Sequence, residues 1–92
     1  MKPDSELLRS YLSDILSEYL QARQVYSPVT SAHEGWAVIW EELDELWDEV
    51  KANKGYTVTG YQEARQVAAM ALAYMIEVAP HWMTAGYADP LP

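Results

Sequence analysis

The stretch Glu34-Gly-Trp-Ala-Val-Ile-Trp-Glu-Glu-Leu-Asp-Glu-Leu-Trp-Asp-Glu49 decides the fold of this chain. Its apolar residues recur at spacings of three and four, which is the pattern of an amphipathic helix. It also holds seven of the 14 acidic residues of the protein, so it predicts either a solvated acidic face or a face that binds cations. The large apolar side chains form one arc, and we expect that arc to pack in the core: Trp36, Ile39, Trp40, Leu43, Leu46, Trp47 and Val50.

The residues on either side predict where this helix begins and ends. Ser31 and Glu34 are spaced as in a capping box, in which the Ser31 hydroxyl accepts from the Glu34 amide and the Glu34 carboxylate accepts from the Ser31 amide. The helix is predicted over residues 32–52, with Asn53 or Gly55 ending it.

Two further helices are predicted, one on each side. Asp4 or Ser5 can cap the first, which carries a one-sided apolar stripe and runs to about Arg23. Thr59 is predicted to cap the third helix, which Pro80 ends or kinks.

The third helix is apolar all round over residues 67–76, which is typical of a helix that is buried on most sides. The connection over residues 53–59 is short, so the second and third helices should form an antiparallel hairpin. The sequence therefore predicts a single all-α domain over residues 1–92 with three main helices. Because half of the residues are apolar and the chain is small, we expect self-association to complete the bundle.

Composition excludes several functional classes. The net charge of −8 argues against nucleic acid or an anionic membrane as partner, since both would be repelled. The chain has no cysteine, which excludes disulfides and thiolate metal sites. No apolar run has the length of a membrane span and no signal peptide precedes the first helix, so we expect a soluble cytoplasmic protein.

The carboxylates of the second helix are predicted to lie close to polar side chains of the third. Glu42 and Glu45 are three apart and therefore share one side of their helix. In an antiparallel hairpin, opposite positions sum to roughly 108–110, so Glu45 should face Glu63 and Glu42 should face Gln66. Glu49 lies about one turn away on the same stripe. Oxygen ligands of this kind suit Mg²⁺ or Mn²⁺.

A solvated helix face is the simpler interpretation of the same acidic stripe. Two observations favour a site instead. The second helix has few basic residues at the spacing that would pair an exposed acidic face, apart from Lys51 near its end. Glu63 shares a face with apolar residues, so it should point inward. The remaining acidic residues, Glu41, Asp44 and Asp48, are predicted to be solvated.

The paired motif formed by Glu42-Leu-Asp-Glu45 and Glu63-Ala-Arg-Gln66 resembles that of the MazG-like all-α nucleotide pyrophosphohydrolases. That superfamily has ExxE on one helix and ExxD on the next. The resemblance covers roughly residues 31–79, and it is to the small bacterial and phage type. It implies Mg²⁺-dependent cleavage of a nucleoside triphosphate substrate to the monophosphate and pyrophosphate, by a homodimer or homotetramer.

Carried onto this chain, the resemblance assigns metal ligation to Glu42, Glu45 and Glu63, with Gln66 at the fourth position. Gln66 departs from the motif, which has aspartate there. The missing charge should weaken metal binding, and Glu49 could compensate if the register of the hairpin slipped by one turn. The rival interpretations are a non-catalytic member that binds metal or nucleotide, and a plain helical interaction module. The candidate phosphate-binding residues are Lys51 and Lys54, which equally suit the dipole of a helix end.

Overall fold

The computed structural model describes residues 4–54 and 56–80, and within them the protein is all-α. Helix α1 spans Ser5–Val25, α2 spans Ala32–Lys51 and α3 spans Val58–Glu77. These residues contain no strand, which confirms the predicted fold class of three main helices. None of the three helices is both long and apolar enough to cross a membrane.

Side-chain caps fix the starts of α1 and α2. The Asp4 carboxylate accepts from the backbone amides of Glu6 at 2.8 Å and Leu7 at 3.1 Å. The Ser31 hydroxyl accepts from the amide of Glu34 at 3.1 Å. Both caps satisfy amides that have no partner within the helix, as the sequence predicted.

The other half of the predicted capping box is wrong. The Glu34 carboxylate does not return to Ser31; it accepts from the hydroxyl of Thr30 at 2.8 Å and from its backbone amide at 3.3 Å. Thr30 offers two donors in one place, whereas Ser31 offers only its backbone amide, so the carboxylate binds one residue earlier in the chain than predicted.

The predicted start of α3 is also wrong, by two residues. Thr57 and not Thr59 is the cap: its hydroxyl oxygen accepts from the amide of Gly60 at 3.4 Å, and the hydroxyl donates to the carbonyl of Lys54. Thr57 has extended backbone angles, while Thr59 already lies within the helix. Only a residue outside the first turn can aim its side chain at the free amides there.

A left-handed residue ends α2. Asn53 has a φ of 61°, the conformation that asparagine tolerates better than most residues. The amide of Lys54 then donates to the carbonyl of Glu49 at 2.8 Å, which satisfies one of the last free carbonyls. Asn53 is thus one of the two predicted stops; the other, Gly55, lies outside the described residues.

Helix α3 lies between the other two helices and packs against both, most closely against α2. Residues of α2 and α3 meet in opposite order along the chain, so the hairpin is antiparallel as predicted. At one end, Gly35 lies against the ring of Tyr74. At the other, Glu45 lies beside Glu63.

Hydrogen bonds between polar side chains connect α1 to α3 along the length of α3. These pairs are Tyr61 Oη to Asp14 at 2.6 Å, Arg65 Nε to Glu18 at 3.0 Å, and Tyr19 Oη to Glu77 at 2.7 Å. Glu77 also accepts from the backbone amide of Val29 at 2.8 Å, and Arg23 Nε lies 2.8 Å from its carboxylate, at an angle outside that of a hydrogen bond. Glu77 therefore ties α1, the α1–α2 connection and α3 together.

The prediction that the apolar arc of α2 packs in the core is wrong for most of the arc in the single chain, where only Ile39 and Leu46 of its members are partly buried. Among the described residues the buried apolar side chains are only Val29, Ala69 and Ala73. The less exposed residues of α2 are Gly35, Val38, Ile39, Glu42, Leu46 and Glu49. The helix is thus rotated so that part of its acidic stripe faces α3, while Trp36, Trp40 and Trp47 are each more than half exposed.

Candidate metal site

Three carboxylates converge where α2 and α3 pack. Glu42 and Glu45 come from successive turns of α2, and Glu63 comes from the second turn of α3. One oxygen atom from each lies within 4.8 Å of the others. The structure therefore brings together the three residues that the sequence singled out, in the register expected of the hairpin. We call this group the carboxylate cluster.

The cluster is partly withdrawn from water. Glu42 and Glu63 are half-buried, while Glu45 is exposed at the rim. Like charges held this close repel one another, and burial removes the water that would screen them. Such an arrangement is costly in free energy unless protons or a cation neutralise it.

The pKa values of Glu42 and Glu63 are raised for these reasons. Burial, followed by the neighbouring charge of Glu45, raises the pKa of Glu42 from 4.5 to about 7. Burial also raises the pKa of Glu63, and its contacts with Glu45 and the charge of Glu49 add to the effect. Near neutral pH Glu42 is therefore partly protonated, and a divalent cation could displace that proton.

Gln66 lies beside the carboxylate cluster and faces Glu42, as the sequence predicted. The two acceptors around its amide fix the orientation of that amide. The nitrogen donates to Glu42 Oε2 at 2.8 Å and to Glu63 Oε2 at 3.2 Å. The neutral amide bridges the two helices and compensates part of their negative charge, which an aspartate here would instead increase.

Glu49 lies beside the cluster without belonging to its closest group. Its charge contributes to the raised pKa of Glu63, so the two carboxylates are near each other. Its Oε2 atom is buried and has no hydrogen-bond partner among the described residues. A buried carboxylate oxygen without a donor is rare in folded proteins, and a cation is one way to satisfy it.

The two candidate phosphate-binding lysines make other contacts or face solvent. Lys51 pairs with Asp48 at 3.3 Å, and its ammonium lies 5.8 Å from the ring of Trp47. It follows Glu49 by two positions, which places it roughly 200° around the helix. Lys54 is exposed in the turn after α2. Neither lysine forms an ion pair with the carboxylate cluster within the described part of the chain.

An open groove with a volume of about 630 Å³ adjoins the cluster. Its walls come from the end of α1, the connection after it, and the facing sides of α2 and α3. Glu42 and Gln66 line one wall, while Glu18, Arg23 and Tyr26 line the other. We call it the α1–α2 groove. The carboxylate cluster therefore lies beside a concavity large enough for a small organic ligand.

The groove and its α1 residues were missed by sequence reasoning. Arg23 reads as an ordinary basic residue in the last turn of a helix, yet it donates to the carbonyls of Tyr26 and Ser27 at 2.8 and 2.6 Å. The pairing of Glu77 with Tyr19 and Arg23 of α1 was not foreseen either. Nothing in the local pattern of Glu77 signals its contacts with Tyr19 and Val29, because they join positions 58 and 48 residues apart.

The remaining acidic residues of α2 behave as predicted. Glu41, Asp44 and Asp48 are exposed. Asp44 and Asp48 therefore leave their charges in water, where they cost little. Glu41 also lines the α1–α2 groove at its edge.

Comparison with known proteins finds no match for this chain among family models, curated proteins or solved structures. The resemblance of residues 31–79 to the MazG-like superfamily thus stays a prediction from the sequence.

Proposed function

We propose that this protein is a Mg²⁺- or Mn²⁺-dependent nucleoside triphosphate pyrophosphohydrolase, which converts an NTP or dNTP to the monophosphate and pyrophosphate. One observation carries the proposal: Glu42, Glu45 and Glu63 converge from two helices within 4.8 Å. The α1–α2 groove beside them has a volume in the range of small-molecule sites.

The donor set fits a hard divalent cation. Magnesium and manganese prefer oxygen ligands and keep several waters, so three carboxylates suffice to hold them. Burial, followed by the charge of Glu45, raises the pKa of Glu42, and a bound cation would favour the ionised carboxylate instead. Gln66 can turn its amide oxygen inward as a fourth, neutral ligand, with the buried oxygen of Glu49 as a further donor nearby.

When bound, the metal would supply charge neutralisation at the phosphates and an activated water. The residues of the chain divide the remaining work. Glu42, Glu45 and Glu63 would hold the metal, and Glu42 lines the groove beside it. The rest of the nucleotide would occupy the α1–α2 groove, where the hydrogen bonds that Arg23 makes to the backbone stiffen the far wall. Since most charged residues that line the groove are acidic, a triphosphate would enter as its metal complex.

A panel of nucleoside triphosphates with Mg²⁺ or Mn²⁺ tests the proposal through pyrophosphate release. Glu45→Gln removes one ligand and should reduce turnover by at least about 100-fold. The matched control is Asp44→Asn, which removes the neighbouring exposed charge and should leave turnover unchanged. If the wild type releases no pyrophosphate from any nucleotide, or if Glu45→Gln retains full activity, the proposed enzyme is excluded.

A non-catalytic protein that binds metal or nucleotide is the second candidate. The observation that favours it is the amide of Gln66, which brings hydrogen-bond donors where the motif has a charged ligand. Such a protein would gain thermal stability from Mn²⁺ without releasing pyrophosphate. A third candidate, a helical interaction module with a solvated acidic face, predicts no change in melting temperature with either cation.

A further inference from the structure

The tryptophan face of α2 has no role in the carboxylate cluster, and it exposes three of the four tryptophans of the protein. Five side chains form it, which we call the tryptophan stripe, and their exposed fractions are as follows: Trp36 58%, Trp40 55%, Leu43 42%, Trp47 54% and Val50 46%. Trp36 and Trp40 already contact each other, with ring centroids 6.3 Å apart. A soluble monomer rarely leaves a continuous apolar face of this kind in water.

We infer that the tryptophan stripe is the contact between two copies of this chain, which pack their α2 helices antiparallel around a twofold axis near Leu43. This assignment does not depend on the proposed enzyme. The apolar residues of α2 that the sequence predicts to be buried would then be buried between two subunits.

The spacing of the stripe favours a second copy over an unrelated partner. Successive residues of the stripe are alternately four and three positions apart. The stripe, or seam, therefore runs straight along the helix instead of winding around it. The seam is nearly symmetrical about Leu43, with Trp36 and Val50 seven residues away on either side. Trp40 and Trp47 lie three and four residues away. An antiparallel copy therefore sets apolar against apolar along the whole seam, as a self-complementary contact requires.

The charges of α2 fit the same arrangement. The chain carries a net charge of −8, so most of its surfaces would repel a second copy. The stripe itself contains no charged residue, and the nearest charges, Asp44 and Lys51, lie at its edge and are exposed. Lys51 already pairs with Asp48 at this edge. Two copies can therefore meet at the stripe and leave their carboxylates in water.

The size of the stripe suits a dimer interface. An aromatic side chain buries about 150–250 Å², so three indoles slightly more than half exposed leave roughly 250–400 Å² of apolar surface. With Leu43 and Val50 this approaches half of the ~800 Å² that each partner contributes to a standard interface. A polar rim supplies the remainder in such interfaces.

Helix α1 has an exposed apolar line too, but its geometry is different. The residues Leu8, Leu12, Leu16 and Leu20 are all exposed. They are spaced by four throughout, so the line winds roughly 120° around α1 over its length. A straight partner helix cannot follow such a line. Leu12, the most exposed of the four, therefore provides the matched control for Leu43.

Sedimentation velocity at several protein concentrations tests the inference. The wild type should be a dimer or a larger even-numbered assembly. Leu43→Asp places two like charges at the axis and should yield a monomer that keeps its helical circular dichroism. Leu12→Asp should leave the assembly state unchanged. A wild type that is monomeric throughout, or an assembly that Leu12→Asp disrupts and Leu43→Asp does not, would overturn the inference.

Cross-linking decides the case in which Leu43→Asp fails to fold. The chain has no cysteine, so Leu43→Cys introduces a single thiol. A short bismaleimide should join two copies of Leu43→Cys efficiently, because both thiols lie near the axis. Leu12→Cys should remain unlinked under the same conditions. Equal cross-linking of the two variants would contradict the assigned face.

Discussion

The amide nitrogen of Gln66 lies 2.8 Å from Oε2 of Glu42, on the neighbouring helix. The same nitrogen lies 3.2 Å from Glu63, so one neutral side chain holds two carboxylates with raised pKa values in place. Gln66 thus has a structural role in the metal-free protein. Because glutamine is neutral, it offers a bound cation one negatively charged ligand fewer than aspartate would. The balance between stability without metal and affinity for metal can be measured by substituting Gln66.

Gln66→Asp should shift that balance in favour of metal. In the absence of metal the variant loses two hydrogen bonds to carboxylates and adds a fourth like charge, so its free energy of unfolding should fall by about 2 kcal/mol at neutral pH. Its affinity for Mn²⁺ should rise by roughly an order of magnitude, since ligand charge tunes such sites. Urea denaturation and isothermal titration calorimetry measure the two quantities.

Gln62→Asp is the control for that experiment, because Gln62 is exposed on the same helix. It adds the same charge away from the cluster and should change neither quantity appreciably. If Gln66→Asp binds Mn²⁺ no more tightly than Gln62→Asp does, Gln66 does not occupy a ligand position.

The raised pKa of Glu42 predicts how stability depends on pH. The folded protein holds a proton on Glu42 up to about pH 7, whereas the ordinary value for the unfolded chain is 4.5. Between these values the folded state binds more protons, so the metal-free protein should lose stability as pH rises through that interval. Glu63 contributes in the same direction. Thermal unfolding over this range should show a decreasing melting temperature.

Two comparisons isolate the cluster as the cause of that trend. Glu42→Gln removes one of the titrating groups, so the decrease should become shallower. Stabilisation by Mn²⁺ should instead grow with pH, because ligation requires ionised carboxylates. A melting temperature with the same pH slope in wild type and Glu42→Gln would mean that other groups control the trend.

Tyr19→Phe should destabilise the protein through Glu77. The hydroxyl of Tyr19 donates to the Glu77 carboxylate at 2.7 Å, in a pocket that also holds Arg23. Hydrogen bonds to charged groups contribute about 1.5–3 kcal/mol, and the free energy of unfolding should fall by that amount. Tyr11→Phe is the matched control on α1, since Tyr11 is exposed and contacts Tyr61 through its ring. Urea denaturation of both variants would refute the prediction if their losses were equal.

Gly35→Ala should also destabilise the protein, although alanine is the better helix former. A Cβ at position 35 would lie 2.6 Å from Cδ2 of Tyr74 and 3.3 Å from Cγ1 of Val29. Overpacking of this kind costs about 1–3 kcal/mol, which exceeds the gain of up to about 1 kcal/mol in helix propensity. Thermal unfolding of Gly35→Ala alone and with Tyr74→Ala forms a double-mutant cycle. The loss should be smaller in the second background; a loss of equal size would place the strain elsewhere.

The residues that signal helices locally were informative in the sequence. Asp4 and Ser31 cap the helices they were expected to cap, and Asn53 ends α2, because each contact joins positions at most five residues apart. The start of α3 was missed because Thr57 and Thr59 are equally plausible caps. Only the course of the turn before α3 decides between them.

The sequence by itself determined the three helices, the antiparallel hairpin and the register that sets Glu42 and Glu45 against Glu63 and Gln66, since helical periodicity and a short connection fix all of these. Tertiary structure alone decided the rotation of α2 about its own axis. The amphipathic pattern of α2 alone predicts that its most apolar face is buried. In the structure, part of the acidic stripe faces α3 instead, and Trp40 and its neighbours are exposed. That rotation depends on close contacts such as Gly35 with Tyr74, which no pattern within one helix encodes.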